Sequence, residues 1–137
     1  MEERETLADL LDVRLLMSSA HSDAIRLVLD AVDDHGLHRV RDAADRATRG
    51  DVPLGQASGI CALGALGIDD ESSRDLLVAA ATGLVGSADS GVTEAVARGL
   101  GLCSTDGRTT LALLVLADDG DASVRLAAVQ GLAVPAD

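Results

Sequence analysis

The 137-residue chain has the length of one domain and carries 23 acidic residues against 11 basic ones, a formal net charge of −12. It contains no Phe, Tyr or Trp, so it has neither the rings on which bases stack nor the cationic surplus that a phosphate backbone rewards, and nucleic-acid binding is not expected. With 47% hydrophobic residues and no aromatic side chain, its core has to be Leu, Val and Ala with a few Ile and Met, which suits a thin layer between closely spaced helices.

The bases are all Arg, Lys and Asn are absent, and Asp outnumbers Glu 18 to 5. A GC-rich genome produces such a bias, and so does adaptation to high salt, where a dense acidic surface is screened. The N-terminal stretch from Met1 to Leu11 is acidic and lacks the basic start of a signal peptide. Cys61 and Cys103 form no ligand-like cluster and fit buried small hydrophobes in a reducing, cytoplasmic setting.

The first predicted helix runs from Thr6 to Met17 and is rich in Leu. A second, Asp23 to Val32, places Ile25, Val28, Leu29 and Val32 on one face, with Ser22 or Asp23 as its N-cap. Asp34-His35-Gly36 breaks it. Leu37 to Arg49 is heavily charged and has a small-residue apolar side, Val40, Ala43, Ala44 and Ala47, which predicts an outermost helix or one that covers a neighbour closely. Gly50 reads as its C-cap, Asp51 as the cap of the next helix, and Pro53 falls in that helix's first turn. Val52 to Ile68 is nearly uncharged but too short and too polar at Gln56 and Ser58 for a membrane span, so a buried central helix is expected and no membrane. Asp69 to Ser73 opens a helix carrying Leu76, Leu77, Ala80 and Leu84; Asp89-Ser90 opens another that reaches Cys103. After Thr105-Asp106-Gly107 come Thr109 to Ala117, an acidic turn Asp118 to Asp121, and a last helix from Ala122 to Val134 before Pro135. About eight helices joined by short turns imply antiparallel neighbours.

Three segments superpose without gaps: Val52 to Ile60, Val92 to Leu100 and Val124 to Leu132. Each starts with Val, has small residues in the middle and ends in Gly followed by an aliphatic. Gly inside a helix costs about 1 kcal/mol against Ala, so its repetition predicts close helix approach at Gly59, Gly99 and Gly131. A recurrence at this spacing is the signature of a stacked helical array, with Arg74 to Val85 and Thr109 to Ala117 as partner helices.

The stretch Leu113 to Leu132 resembles the HEAT-repeat family, in which a first helix ends near an Asp and a second opens with Val-Arg, paired Ala and Gly-Leu. Asp118 or Asp119 and Arg125 match that family's inter-repeat Asp–Arg ladder. Thr93 and Pro53 occupy the Arg position in the two earlier copies, and residues 1–50 diverge from the pattern. The resemblance implies an all-α fold, a short right-handed α-solenoid of about four stacked antiparallel helix pairs spanning residues 1–137 as one domain. It also implies partner binding along an inner face, without implying a reaction. The enzymatic branches of such folds lack support: DNA-alkylation repeat glycosylases need aromatics and a basic groove, deoxyhypusine hydroxylases need His-Glu pairs, and nothing singles out phycobilin lyases.

No catalytic or cofactor-binding residue stands out. His35 and His38, beside Asp33 and Asp34, are candidate metal ligands set against an ordinary solvated turn. His21-Ser22-Asp23 suggests acid–base chemistry less economically than a helix start. Asp118-Asp119-Gly120-Asp121 resembles part of a calcium loop but lacks the later Glu. Asp89-Ser90 resembles the carrier-protein Asp-Ser, but Gly91 follows where Leu would stand. The leading expectation is therefore a non-catalytic interaction or adaptor module that binds another protein, a basic one by charge, or its own copy. Candidate contact residues are Asp118, Asp119, Arg125 and Val129, because the last helix, with Val124, Leu126, Val129 and Leu132, has no polar cap. The rivals are a metal-dependent enzyme with a site near His21, His35 and His38, and a helical bundle enclosing a small apolar ligand.

Overall fold

A computed structural model describes residues 5–103 and 107–132, the His21 side chain excepted. Among them the chain is all-helical: α1 Leu7–Leu10, α2 Val13–Ser18, α3 His21–His35, α4 Leu37–Thr48, α5 Pro53–Leu66, α6 Glu71–Leu84, α7 Ser90–Leu102, α8 Gly107–Leu116 and α9 Ala122–Leu132.

Most predicted boundaries hold, and the exceptions have local causes. The single helix expected over Thr6 to Met17 is split, because the Asp12 carboxylate accepts from the Arg14 and Leu15 amides and starts a new helix at Val13. Upstream, the Thr6 amide donates to Asp9 Oδ2 at 2.8 Å, which fixes the short α1. Ser22 and Asp23 are not the cap of α3: the helix begins at His21, Ala20 holds the cap position without a side-chain bond, and both residues lie in the first turn. Asp51 does not cap α5 either; Val52 does so without a side-chain bond, and Pro53 takes the first helical position, where no amide is missed. Asp34 and His35, expected in the break, instead complete α3, and Gly36 ends it at φ 92°, the left-handed side of the map that a Cβ disfavours. The Thr105-Asp106 part of the expected turn before α8, and Ala133-Val134 at the end of the last helix, lie outside the described residues.

The core is organised around α5. Its residues Ala57 through Leu66 are all buried, enclosed by α2, α3, α4, α6 and α7; this is the central helix that the uncharged stretch predicted. The helices α5, α7 and α9 lie side by side in one row; α4 packs on α5, α6 on both α5 and α7, and α8 on both α7 and α9. The covering helices make little contact with one another.

Glycine explains the tight row. A Cβ on Gly64 would stand 2.5 Å from the Gly99 carbonyl oxygen, and one on Gly101 would stand 2.8 Å from Gly131 Cα. Thus α5 meets α7, and α7 meets α9, backbone against backbone. Close approach is found at Gly59, Gly99 and Gly131, as the repeat predicts, but the neighbour is not the same in each. Gly59 differs, facing Ala44 and Thr48 of α4, so the charged α4 is no loose outer helix: Val40, Ala43, Ala44 and Thr48 are buried against α5. The repeat also breaks at its first position, where Val92 and Val124 are buried but Val52 is 64% exposed.

Asp70 caps α6 by accepting from the Ser73 amide and hydroxyl, and Arg41 of α4 donates to the same oxygen. These bonds, Ser73 foremost and Arg41 next, hold the Asp70 carboxyl below its usual range despite some desolvation. A depressed carboxyl contributes stability that is complete above the unfolded-state value, near 3.9, and is lost as pH falls through the lower folded value. Asp70→Ala is accordingly expected to cost about 1–2 kcal/mol at neutral pH. In thermal melts stepped downward in pH, the gap to wild type should stay constant until the carboxylate range and close below it.

Candidate interaction surface

The C-terminal pair carries an unusual surface. On α8, Thr109, Leu113 and Leu116 are buried, as helical spacing requires of a core stripe. Yet a second stripe, Leu111, Leu114 and Val115, is 68%, 53% and 67% exposed. On α9, Val124, Ala127, Ala128 and Gly131 face inward, while Leu126 and Val129 are 59% and 52% exposed. Eleven large apolar side chains are exposed among the described residues, and five of them sit on these two packed helices. Scattered exposed apolar residues are ordinary; concentration on one helix pair is not.

The two ends of the row differ. At α5 the side chains are sealed by α2 and α3, whereas α9 packs chiefly on α7 and α8. Arg98 of α7 donates to the carbonyl oxygens of Met17 and Ser19, both at 2.8 Å, and so fastens the α2–α3 connection onto the row. This clamp's only signal in the sequence is that Arg98 is the one basic residue of α7.

The acidic turn between α8 and α9 is a capping device. Asp121 Oδ1 accepts from the Ser123 and Val124 amides, and Asp119 Oδ1 accepts from the Asp121 amide. These bonds spend carboxylate oxygens on the backbone, which favours the turn-and-cap reading over a calcium loop. Arg125 donates to the Asp119 carbonyl oxygen at 2.8 Å, within its own pair, so the expected ladder partner is a backbone oxygen and not a carboxylate of another repeat. Asp118, Arg125 and Val129 are exposed. Asp89 likewise caps α7 through the Val92 amide, which accounts for Asp89-Ser90 without a prosthetic group.

The three histidines fall on two helices. His21 starts α3 and His35 ends it, roughly 21 Å apart at 1.5 Å per residue. His38 lies beyond the Gly36 break, exposed in the first turn of α4. Among the described residues no group of three or more His, Cys, Asp or Glu is placed to hold a metal ion. Two apolar clefts exist. One of about 370 Å³ lies between α1 and the start of α5, lined by Leu7, Val13, Ala47, Val52 and Leu54; the other, about 260 Å³, separates α6 from α8 and is lined by Val78, Val85, Leu100, Ala112 and Val115. Neither is lined by a histidine.

Cys61 and Cys103 are buried and form no disulfide. Burial pushes the Cys61 thiol up to about 11, so it stays protonated at neutral pH and is no nucleophile. A thiol-reactive dye is expected to label neither cysteine in the native protein and both after unfolding; rapid native labelling would contradict this packing.

Protein-family models, curated proteins and solved structures offer no match to this chain. No described helix is long and apolar enough to cross a membrane.

Proposed function

We propose that the protein is a non-catalytic interaction module, a short HEAT-like α-solenoid that docks another protein on its C-terminal helix pair. The observation that carries this reading is the exposed set Leu111, Leu114, Val115, Leu126 and Val129 on α8 and α9. An apolar set concentrated on one helix pair marks an interaction surface. The solenoid reading draws support from the row of α5, α7 and α9 with α4, α6 and α8 packed along it, and takes α1 to α3 as a divergent fourth unit. Two buried thiols outside any disulfide fit the cytoplasm.

The test is a paired capture from native lysate with wild type and with Leu114→Ser/Leu126→Ser. Both substituted side chains are more than half exposed, so the variant should keep its melting temperature within a few degrees. A stoichiometric protein held by wild type and lost by the variant supports the module. A partner held equally by both places docking elsewhere.

A further inference from the structure

Resting on that docking reading, we infer that the occupant of the α8–α9 face is a cationic amphipathic helix. On α8 the exposed residues Leu111, Leu114 and Val115 form a stripe at i, i+3 and i+4, and the turn that follows the helix carries the exposed Asp118, with Asp119 and Asp121 beside it. A partner helix that reads this stripe together with Leu126 and Val129 needs apolar residues at the same spacing.

Charge selects the flanks. Asp118, Asp119 and Asp121 form no ion pair among the described residues. The two nearby bases are engaged: Arg108 pairs with Asp75, and Arg125 donates to a backbone carbonyl. From Asp51 onward the chain has twelve acids and four Arg, and so carries −8 of the total −12. A second copy would bring −12 to a face that is already negative, whereas Lys or Arg beside the partner's apolar stripe would meet unpaired carboxylates.

The experiment titrates the full chain into a fluorescent synthetic helix with a leucine stripe flanked by lysines, and into its twin with glutamates in their place. The lysine helix should bind at least about tenfold tighter than the twin, and its affinity should fall as salt rises. Leu114→Ser/Leu126→Ser should weaken it by about tenfold or more, and Asp118→Asn should weaken the lysine helix alone. Equal, Leu114- and Leu126-dependent binding of both helices would overturn the cationic occupant while leaving the docking reading intact. Sedimentation that shows a dimer abolished by Leu126→Asp would overturn it in favour of a second copy. Binding of neither helix to a chain that stays monomeric would overturn both readings together.

Discussion

Gly64→Ala is expected to destabilise the protein by about 2 kcal/mol, although it replaces the poorer helix former with the best one. The added Cβ would stand 2.5 Å from the Gly99 carbonyl oxygen and 2.9 Å from Gly99 Cα. Those atoms are backbone, so no rotamer change relieves the clash; α5 and α7 must move apart. Overpacking of this kind costs about 3 kcal/mol, of which improved helix propensity returns about 1. For a chain of this length the net loss corresponds to a fall in Tm of roughly 6–10 °C. Gly83→Ala supplies the contrast. It lies in the last turn of α6 with nothing within 4 Å of an added Cβ and no left-handed φ, so it should gain about 0.5 kcal/mol. Opposite signs at the two positions, read by thermal or denaturant melts, are the signature of the glycine crossing. Equal signs would mean that the row is not packed backbone to backbone.

Leu77→Ala should cost about 2–5 kcal/mol, and its effect should be uneven. The fully inward residues of α6 are Ser73, Leu77 and Ala81, and Leu77 is the large one. With Leu77 gone, α6 is left with Leu76, Ala80 and Leu84, which are partly buried, and α4 and α8 give it little lateral support. Native-state hydrogen exchange should therefore show α6 amides opening well below the free energy of global unfolding. Leu63→Ala, in the enclosed α5, should instead lower protection throughout. Uniform loss of protection in the Leu77 variant would show that the covering helices are as firmly seated as the row.

The residues that made the fold legible were those with one job. Asp70 and Asp89 announce helix starts because a carboxylate before a helix satisfies otherwise orphaned amides. The uncharged run after Asp51 announces the enclosed α5, and Gly99 and Gly131 announce close approach because nothing else explains their cost in a helix. Gly64 and Gly101 were not legible. Each matters only because of a backbone more than 29 residues away in sequence, and both fall outside the aligned segments. The split at Asp12 was hidden because its neighbours continue a helical Leu pattern. The surface on α8 was hidden for the reverse reason: the run from Leu111 to Leu116 is apolar on every side, so periodicity cannot say which stripe faces the core. Only the placement of α7 and α9 decides that Leu113 and Leu116 are inside and that Leu111, Leu114 and Val115 are left outside.

The Arg98 clamp sets an order on events during synthesis. Its guanidinium closes on carbonyls 79 and 81 residues earlier in the chain. At roughly 5–20 residues per second, the α2–α3 connection waits about 4–16 s on the ribosome before its latch is made. In the later part of that interval, once Leu66 is made, α5 exists while α7 does not, and the nascent chain has to keep its most apolar helix from finding a stranger. By residue 97 the emerged chain carries 18 acids and 8 bases, and the mutual repulsion of that net negative charge opposes such association.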